Sequence, residues 1–295
     1  MSEPIGGMAA VNGLQLAYEG FGVETRPMIL LIRGLGSQMI AWDDRLCHRL
    51  SEPGYFVVRF DNRDIGRSTY LDGDVDLEAV RAGDVTGVPY TLDDMSDDVL
   101  GLLDWFDVGS AHLVGLSMGG MIAQLTAIRA PDRVRSLTSI MSMTGSGSSE
   151  QRTPEAEALL EPALPVTRAS YQDAAVETLR VCGSPGYPFE EDEIRELAGR
   201  SYDRGYDPSG VNRQLAAVYA SPDRTVDLRM LSLPALVVHG TADALIPPGE
   251  GAATARAIPG AELLMLEGMG HDLPQGVWTD LAASIHRLVA RAENS

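Results

Sequence analysis

Hydrophobic positions fall into short, almost unbroken runs separated by longer segments with helical spacing. The runs at 28–33 (MILLIR), 55–60 (YFVVRF), 112–116 (HLVGL), 137–141 (LTSIM) and 235–239 (ALVVH) carry little polar interruption, 261–266 (AELLML) completes the set, and 14–18 alternates weakly. Continuous runs suit strands buried on both faces, which is the condition of a parallel sheet covered by helices. Helix-spaced segments lie between them at about 38–51, 91–107, 118–130, 250–258 and 275–292. Thr91 with Asp94 three positions on opens one of these as a capped helix, and Pro131 closes another. The βαβα alternation predicts an open, doubly wound, mostly parallel α/β sheet with right-handed crossovers.

One stretch breaks the rhythm. From about 145 to 227 there is no buried-strand signal, only a Gly/Ser opening (TGSGSSE), acidic helical segments and a Pro/Gly/Tyr-rich piece (GSPGYPF). So long an interruption reads as a helical insertion rather than a loop. The predicted organisation is a core made of 1–144 and 228–295, with a helical cap, or lid, at 145–227 over the edge of the sheet.

Composition removes several chemistries. The 295 residues suffice for one large α/β domain with a full core. All 23 basic residues are arginine, against 42 acidic ones, for a net charge of −19. Without lysine there is no side-chain amine for a Schiff base and no lysine for a phosphate-binding loop. A polybasic surface for nucleic acid or anionic membrane is not expected at this charge. Cys47 and Cys182 are far apart and lack metal-type spacing, so neither a disulfide framework nor a metal site is expected. The first residues show no charged n-region or apolar h-region, and no run reaches the length of a membrane span, so the expectation is a cytoplasmic protein.

Candidate chemistry begins at Gly115-Leu116-Ser117-Met118-Gly119. This G-x-S-x-G follows an apolar run and precedes a helical one, the strand–turn–helix setting that exposes a serine hydroxyl on a tight turn. A serine hydroxyl needs a base. Of the five histidines, His48, His112, His239 and His286 sit within predicted helices or strands; only His271 lies in a Gly-rich turn (EGMGHDLP) after the last strand. Loops beyond the carboxyl ends of parallel strands are where such sheets place functional groups. Asp243 runs off the penultimate strand (HGTAD) and is the candidate for orienting His271; Asp272, its immediate neighbour, is the poorer alternative. Backbone donors for a tetrahedral intermediate are expected from Met118 N–H and, in the Arg33-Gly34-Leu35-Gly36 loop, from Leu35 N–H. No cofactor or metal is called for.

These motifs, in the order Ser, Asp, His, resemble the α/β-hydrolase superfamily over essentially the whole chain, in its cap-domain serine esterase branch, similar to the aclacinomycin methylesterase-like and related carboxylesterases. RFDNRDIGRST resembles the family's D-x-R-G-x-G-x-S loop, which implies that Asp61, Arg63 and Asp64 shape the entrance rather than react. PALVVHGTADALIP and GMGHDLP resemble its acid- and histidine-bearing segments. The chain departs from the family at Arg33-Gly34, where His-Gly is frequent. An arginine there is expected to pair with Asp61 or Asp64 or to sit beside the pocket.

A serine nucleophile favours acyl transfer to water. The expected function is hydrolysis of carboxylic esters of small to medium, fairly apolar substrates through an acyl-enzyme, with a small-molecule ester and water as the partners. The alternatives on the same fold are a C–C bond hydrolase of ring-fission products, a cofactor-free perhydrolase, or a non-catalytic ligand-binding protein. An apolar lining is expected from Leu35, Met118, Met121, Ile246 and Met269, with lid aromatics Tyr187, Phe189, Tyr202, Tyr206 and Tyr219.

Overall fold

The computed structural model of the chain describes residues 4–146, 152–160 and 165–294. The strands are Ile5–Val11 (β1), Leu14–Phe21 (β2), Met28–Ile32 (β3), Phe56–Phe60 (β4), Ala111–Leu116 (β5), Val134–Ile140 (β6), Ala235–Gly240 (β7) and Glu262–Leu266 (β8). They form one sheet in the order β1-β2-β4-β3-β5-β6-β7-β8. Pairings β1–β2 and β2–β4 are antiparallel and the other five parallel. The helices before β6 are Asp44–Ser51 (α1), Leu77–Arg81 (α2), Leu92–Trp105 (α3) and Met118–Arg129 (α4). Between β6 and β7 the described residues carry Pro154–Ala158 (α5), Arg168–Cys182 (α6), Glu191–Arg204 (α7), Pro208–Tyr219 (α8) and Thr225–Leu228 (α9), and no strand. Pro248–Ala257 (α10) and Trp278–Glu293 (α11) complete the order.

The continuous apolar runs have the expected cause. In β3, Met28, Leu30 and Ile32 pack on one face against Met95, Val99 and Leu102 of α3 and Met121, Ile122 and Leu125 of α4. Ile29 and Leu31 face the opposite way, towards Leu46, Cys47 and Leu50 of α1 and Ile285, Leu288 and Val289 of α11. Both faces are covered, as α/β layering requires. The one charged residue in β4, Arg59, is buried and satisfied by Glu19 of β2 and by Asp44.

The order reverses between β3 and β5: the chain passes from β3 outward to β4, then returns to place β5 on the other side of β3. A crevice at the carboxyl ends of those two strands follows from that reversal. Two strand expectations need correction. The Gly-rich β1 was not predicted, because an edge strand with most residues exposed carries no apolar run. β8 was expected to be buried on both faces, yet it is the opposite edge, with Leu263 and Met265 exposed. Most of the predicted Gly/Ser opening of the insertion, residues 147–150, lies outside the described residues. No described helix is long and apolar enough to cross a membrane.

His112, at the amino end of β5, is fully buried; Nδ1 lies 2.8 Å from Ser136 Oγ and Nε2 3.0 Å from Glu293 Oε1. Burial pulls its pKa from 6.5 down to about 4, against the opposing pull of Glu293. The unfolded chain therefore binds this proton first as pH falls, so the folded state loses stability between about pH 6.5 and pH 4. The loss from this residue is expected to be on the order of 2–3 kcal/mol. Urea titrations across that window should show a shallower loss for His112→Gln than for the unaltered protein; parallel curves would refute the assignment.

Candidate active site

The turn from β5 into α4 is too tight for side chains at its flanks. A Cβ at Gly115 would stand 2.1 Å from Gly119 O, and one at Gly119 would stand 2.2 Å from Ile32 O. Both are backbone collisions, so only glycine lets the strand, the turn and β3 approach this closely. Between them Ser117 is held at φ 56°, ψ −121°, a conformation that costs a non-glycine residue about 1–3 kcal/mol. Its N–H donates to Ile140 O (2.9 Å), and its carbonyl accepts from Ser142 Oγ (2.8 Å) and Gly120 N–H (2.9 Å). The hydroxyl is thereby aimed out of the carboxyl end of the sheet.

Two loops from the far strands meet it. His271, five residues beyond β8, places Nε2 3.0 Å from Ser117 Oγ. Its Nδ1 lies 2.7 Å from Asp243 Oδ2, on the loop after β7. Asp243 is almost fully buried, and its other oxygen accepts from Leu245 N–H (3.0 Å) and Ile246 N–H (2.9 Å). An ionised carboxylate held so takes a proton-bearing Nδ1, which leaves Nε2 as the acceptor facing the serine hydroxyl. Ala242 N–H donates to Met269 O (2.9 Å) and ties the two loops together.

The other candidates are elsewhere. Asp272 turns from the imidazole to Ser184 Oγ of the insertion, and burial raises its pKa while that hydroxyl opposes the shift. His239 Nε2 lies 2.8 Å from Ile246 O and 3.5 Å from Asp243 Oδ2, so it braces the acid loop from beneath. His286 Nε2 lies 3.1 Å from Leu50 O, His48 packs edge-on to Phe21, and His112 sits at the opposite end of β5.

The loop after β3 supplies the facing wall. Gly36 N–H donates to Gln214 Oε1 (2.9 Å) and Ser37 N–H to Gly34 O (3.3 Å), while Gly120 and Met121 N–H donate to Ser117 O. Leu35 N–H and Met118 N–H are left without an acceptor among the described residues. Arg33 does not pair with Asp61 or Asp64, because both acids are taken by the insertion. Arg204 reaches Asp61 at 2.5 Å and Arg213 reaches Asp64 at 2.8 Å, each carboxylate being fully buried. Arg63 instead forms a bidentate pair with Asp98 of α3, both bonds 2.7 Å. Gln214 Nε2 adds a bond to Arg63 O (2.7 Å), and Gln38 Nε2 bonds Ser201 O (2.6 Å) and Gly205 O (2.7 Å). No motif announced Gln214, Arg204 or Arg213; they lie in a helical stretch that reads only as amphipathic surface.

The insertion also grips the histidine loop. His271 N–H donates to Cys182 O at the end of α6 (2.6 Å), Gly270 N–H to Ser184 Oγ (2.8 Å), and Gly186 N–H to Gly268 O (2.9 Å). Above Ser117 the two parts line a half-open cavity of about 980 Å³. Leu35, Met118, Met121 and Ile246 line it as expected, joined by Leu215 and Val218 of α8. Met269 does not: it is buried in the core under β8. Of the insertion aromatics only Tyr219 lines it. Tyr202 packs tilted and Tyr206 edge-on against Tyr171, Tyr187 packs against the α11 side of the core, and Phe189 is exposed beside Arg180. The two cysteines are free and buried; burial pushes the Cys182 thiol, on the cavity wall, up to about 12.

The alpha/beta hydrolase fold model matches residues 27–274. The chain is 32% identical to the rhodomycin D methylesterase of Streptomyces sp. strain C5, covering 94% of this chain and 96% of that one. It is 27% identical to 3-oxoadipate enol-lactonase 2 of Acinetobacter baylyi, covering 85% of each. Among solved structures, the enol-lactonase from Burkholderia xenovorans LB400 superposes with a TM-score of 0.73 at 25% identity, over 98% of this chain and 100% of that one.

Ser184→Ala removes the partner of both Gly270 N–H and the Asp272 carboxyl. Buried polar groups left unpaired cost about 1–3 kcal/mol. The urea midpoint should fall accordingly, and the far-UV spectrum should be retained. An unchanged midpoint would show that the clasp is not holding the loop.

Proposed function

We propose that this chain, which belongs to the alpha/beta hydrolase family, is a serine hydrolase that cleaves carboxylic esters through an acyl-enzyme. The observation that carries the reading is the unbroken hydrogen-bond chain from Asp243 through His271 to Ser117, opening into a half-open cavity. Ser117 Oγ attacks the ester carbonyl carbon as His271 Nε2 takes the hydroxyl proton. Negative charge develops on the former carbonyl oxygen, towards the N–H groups of Leu35 and Met118, which carry no other acceptor and need no reorganisation. Collapse expels the alkoxide, which leaves with the proton from His271. Water then enters, gives a proton to the same nitrogen and attacks the acyl carbon; the second tetrahedral intermediate breaks its bond to Ser117 Oγ, which takes the proton back from His271, and the carboxylic acid departs. Asp243, fixed by two backbone donors, keeps the proton on Nδ1 throughout and stabilises the transient imidazolium.

The described residues of 145–227 act in this reading as the cap over the cavity. Relatives named as a methylesterase and an enol-lactonase support ester chemistry. A cavity of about 980 Å³ stands at the upper end of the range for small-molecule sites. The substrate class therefore widens from small acyl groups to medium and large esters, with the thioether and aliphatic wall contacting the apolar part.

Ser117→Ala should retain no more than trace turnover of a p-nitrophenyl acyl ester, and Asp243→Asn should lower kcat by roughly 10⁴-fold. A fluorophosphonate should add once, at Ser117, by mass spectrometry. Near-normal turnover by Ser117→Ala would overturn the assignment.

A further inference from the structure

The cavity differs in sign from the molecule around it. The chain carries a net charge of −19. The described wall of the cavity nevertheless holds Arg33, Arg81, Arg152 and Arg224 against only Glu157 and Glu250. Three of these arginines are engaged by protein. Arg81 and Arg152 share Glu157 at 3.2 and 3.4 Å, and Arg152 Nε also bonds Leu245 O (2.5 Å). Arg224 is almost fully buried and donates to Ser221 Oγ (2.7 Å), Met143 O (3.0 Å) and Gln124 Oε1 (3.3 Å).

Arg33 is held differently. Its carbonyl accepts from Asn62 Nδ2 (3.0 Å), its Nε donates to Ser37 Oγ (3.0 Å), and its guanidinium lies 5.2 Å from the centroid of the buried Trp42 ring. Backbone, inner edge and one face are thus all fixed. Neither Nη has a protein acceptor among the described residues, and no carboxylate there forms an ion pair with it. Burial pulls its pKa down to about 10, with the charge of Asp272 pulling the other way, so it remains cationic at neutral pH. It lines the same cavity as Ser117 and His271. A fixed guanidinium with two free Nη groups fits a planar, delocalised pair of oxygens.

We propose that Arg33 is the specificity-determining residue of the cavity, selecting esters whose acyl part carries a carboxylate near the scissile carbonyl. This rests on the ester-hydrolase reading and adds to it which esters are favoured. The substrate anion supplies the acceptor that the protein withholds, and its carbonyl is thereby oriented over Ser117 before attack. The acidic exterior does not oppose this, because screening confines surface charge to about 8–10 Å at ordinary salt.

The test uses matched pairs: monomethyl against dimethyl succinate, and monomethyl against dimethyl glutarate. In the unaltered protein kcat/KM should favour the first member of at least one pair by about 10- to 100-fold, as charge-assisted hydrogen bonds allow. In Arg33→Met that preference should collapse to within about twofold whatever loss the two members share, and Arg33→Lys, which keeps charge but not the fork, should restore part of it. Collapse in the first pair places the carboxylate two methylenes from the scissile carbonyl, and collapse in the second three. A preference that survives Arg33→Met, or an equal loss on both members of each pair, overturns the proposal. If Arg33→Met does not fold, a ratio near or below one in both pairs for the unaltered protein overturns it. Turnover of p-nitrophenyl butyrate and fluorophosphonate capture report the ester-hydrolase reading separately, so its failure is distinguishable from a failure of Arg33 to discriminate.

Discussion

The site depends on a backbone crossing. Where β5 turns into α4, Gly119 lies against the carbonyl of Ile32 and Gly115 against that of Gly119, with Ser117 between them at φ 56°. The local strain persists because β6 over-determines the turn, through Ile140 O and Ser142 Oγ. With Ser117 fixed, the rest has little freedom. The β3 loop must pass within contact of it, and the β7 and β8 loops must reach across β6 to bring Asp243 and His271 into line. The hydrogen bond joining Ala242 to Met269 makes those two loops move as one.

How much of this was legible in the sequence depends on whether a feature is local. The central strands stand out because burial on both faces leaves unbroken apolar runs, and G-x-S-x-G stands out because steric crowding demands two glycines at fixed spacing. His271 and Asp243 followed from their positions after strands. The edge strand β1 did not, since exposure removes the pattern that marks a strand. The partners of Asp61 and Asp64 were also illegible. Arg204 and Arg213 lie 143 and 149 positions further on, and nothing about a helix-borne arginine says which acid it meets. The same distance hid Gln214, whose two ends bridge the β3 loop and the loop carrying Arg63. The lid aromatics failed for another reason: rings at helical spacing cluster with one another, as Tyr171, Tyr202 and Tyr206 do, more readily than they line a void.

The insertion meets the core largely through polar groups. Buried ion pairs such as Arg204–Asp61 and Arg213–Asp64 add little net stability once desolvation is counted, yet removing one partner is costly. Their effect here is angular. Each fixes one helix of the insertion against the loop after β4, and with Gln38 and Gln214 they set how far the insertion stands above Ser117. An apolar seam would allow sliding among near-equivalent packings, whereas the bidentate Arg213–Asp64 pair, together with Arg204 bonding both Asp61 and Gln38, fixes one.

The bond from His271 N–H to the last turn of α6 has a consequence for how this architecture diversifies. In a modular hydrolase the insertion would be an exchangeable part, free to be replaced whenever a new substrate shape is needed. Here it contributes the carbonyl of Cys182 and the hydroxyl of Ser184 to the strand-end loop that bears the imidazole. Recombination that imports a foreign insertion therefore unseats the loop carrying His271 along with the cavity wall. Lineages with this clasp are constrained to vary the insertion by point substitution along its inner face, or to inherit residues 182–186 and 268–272 as a single block.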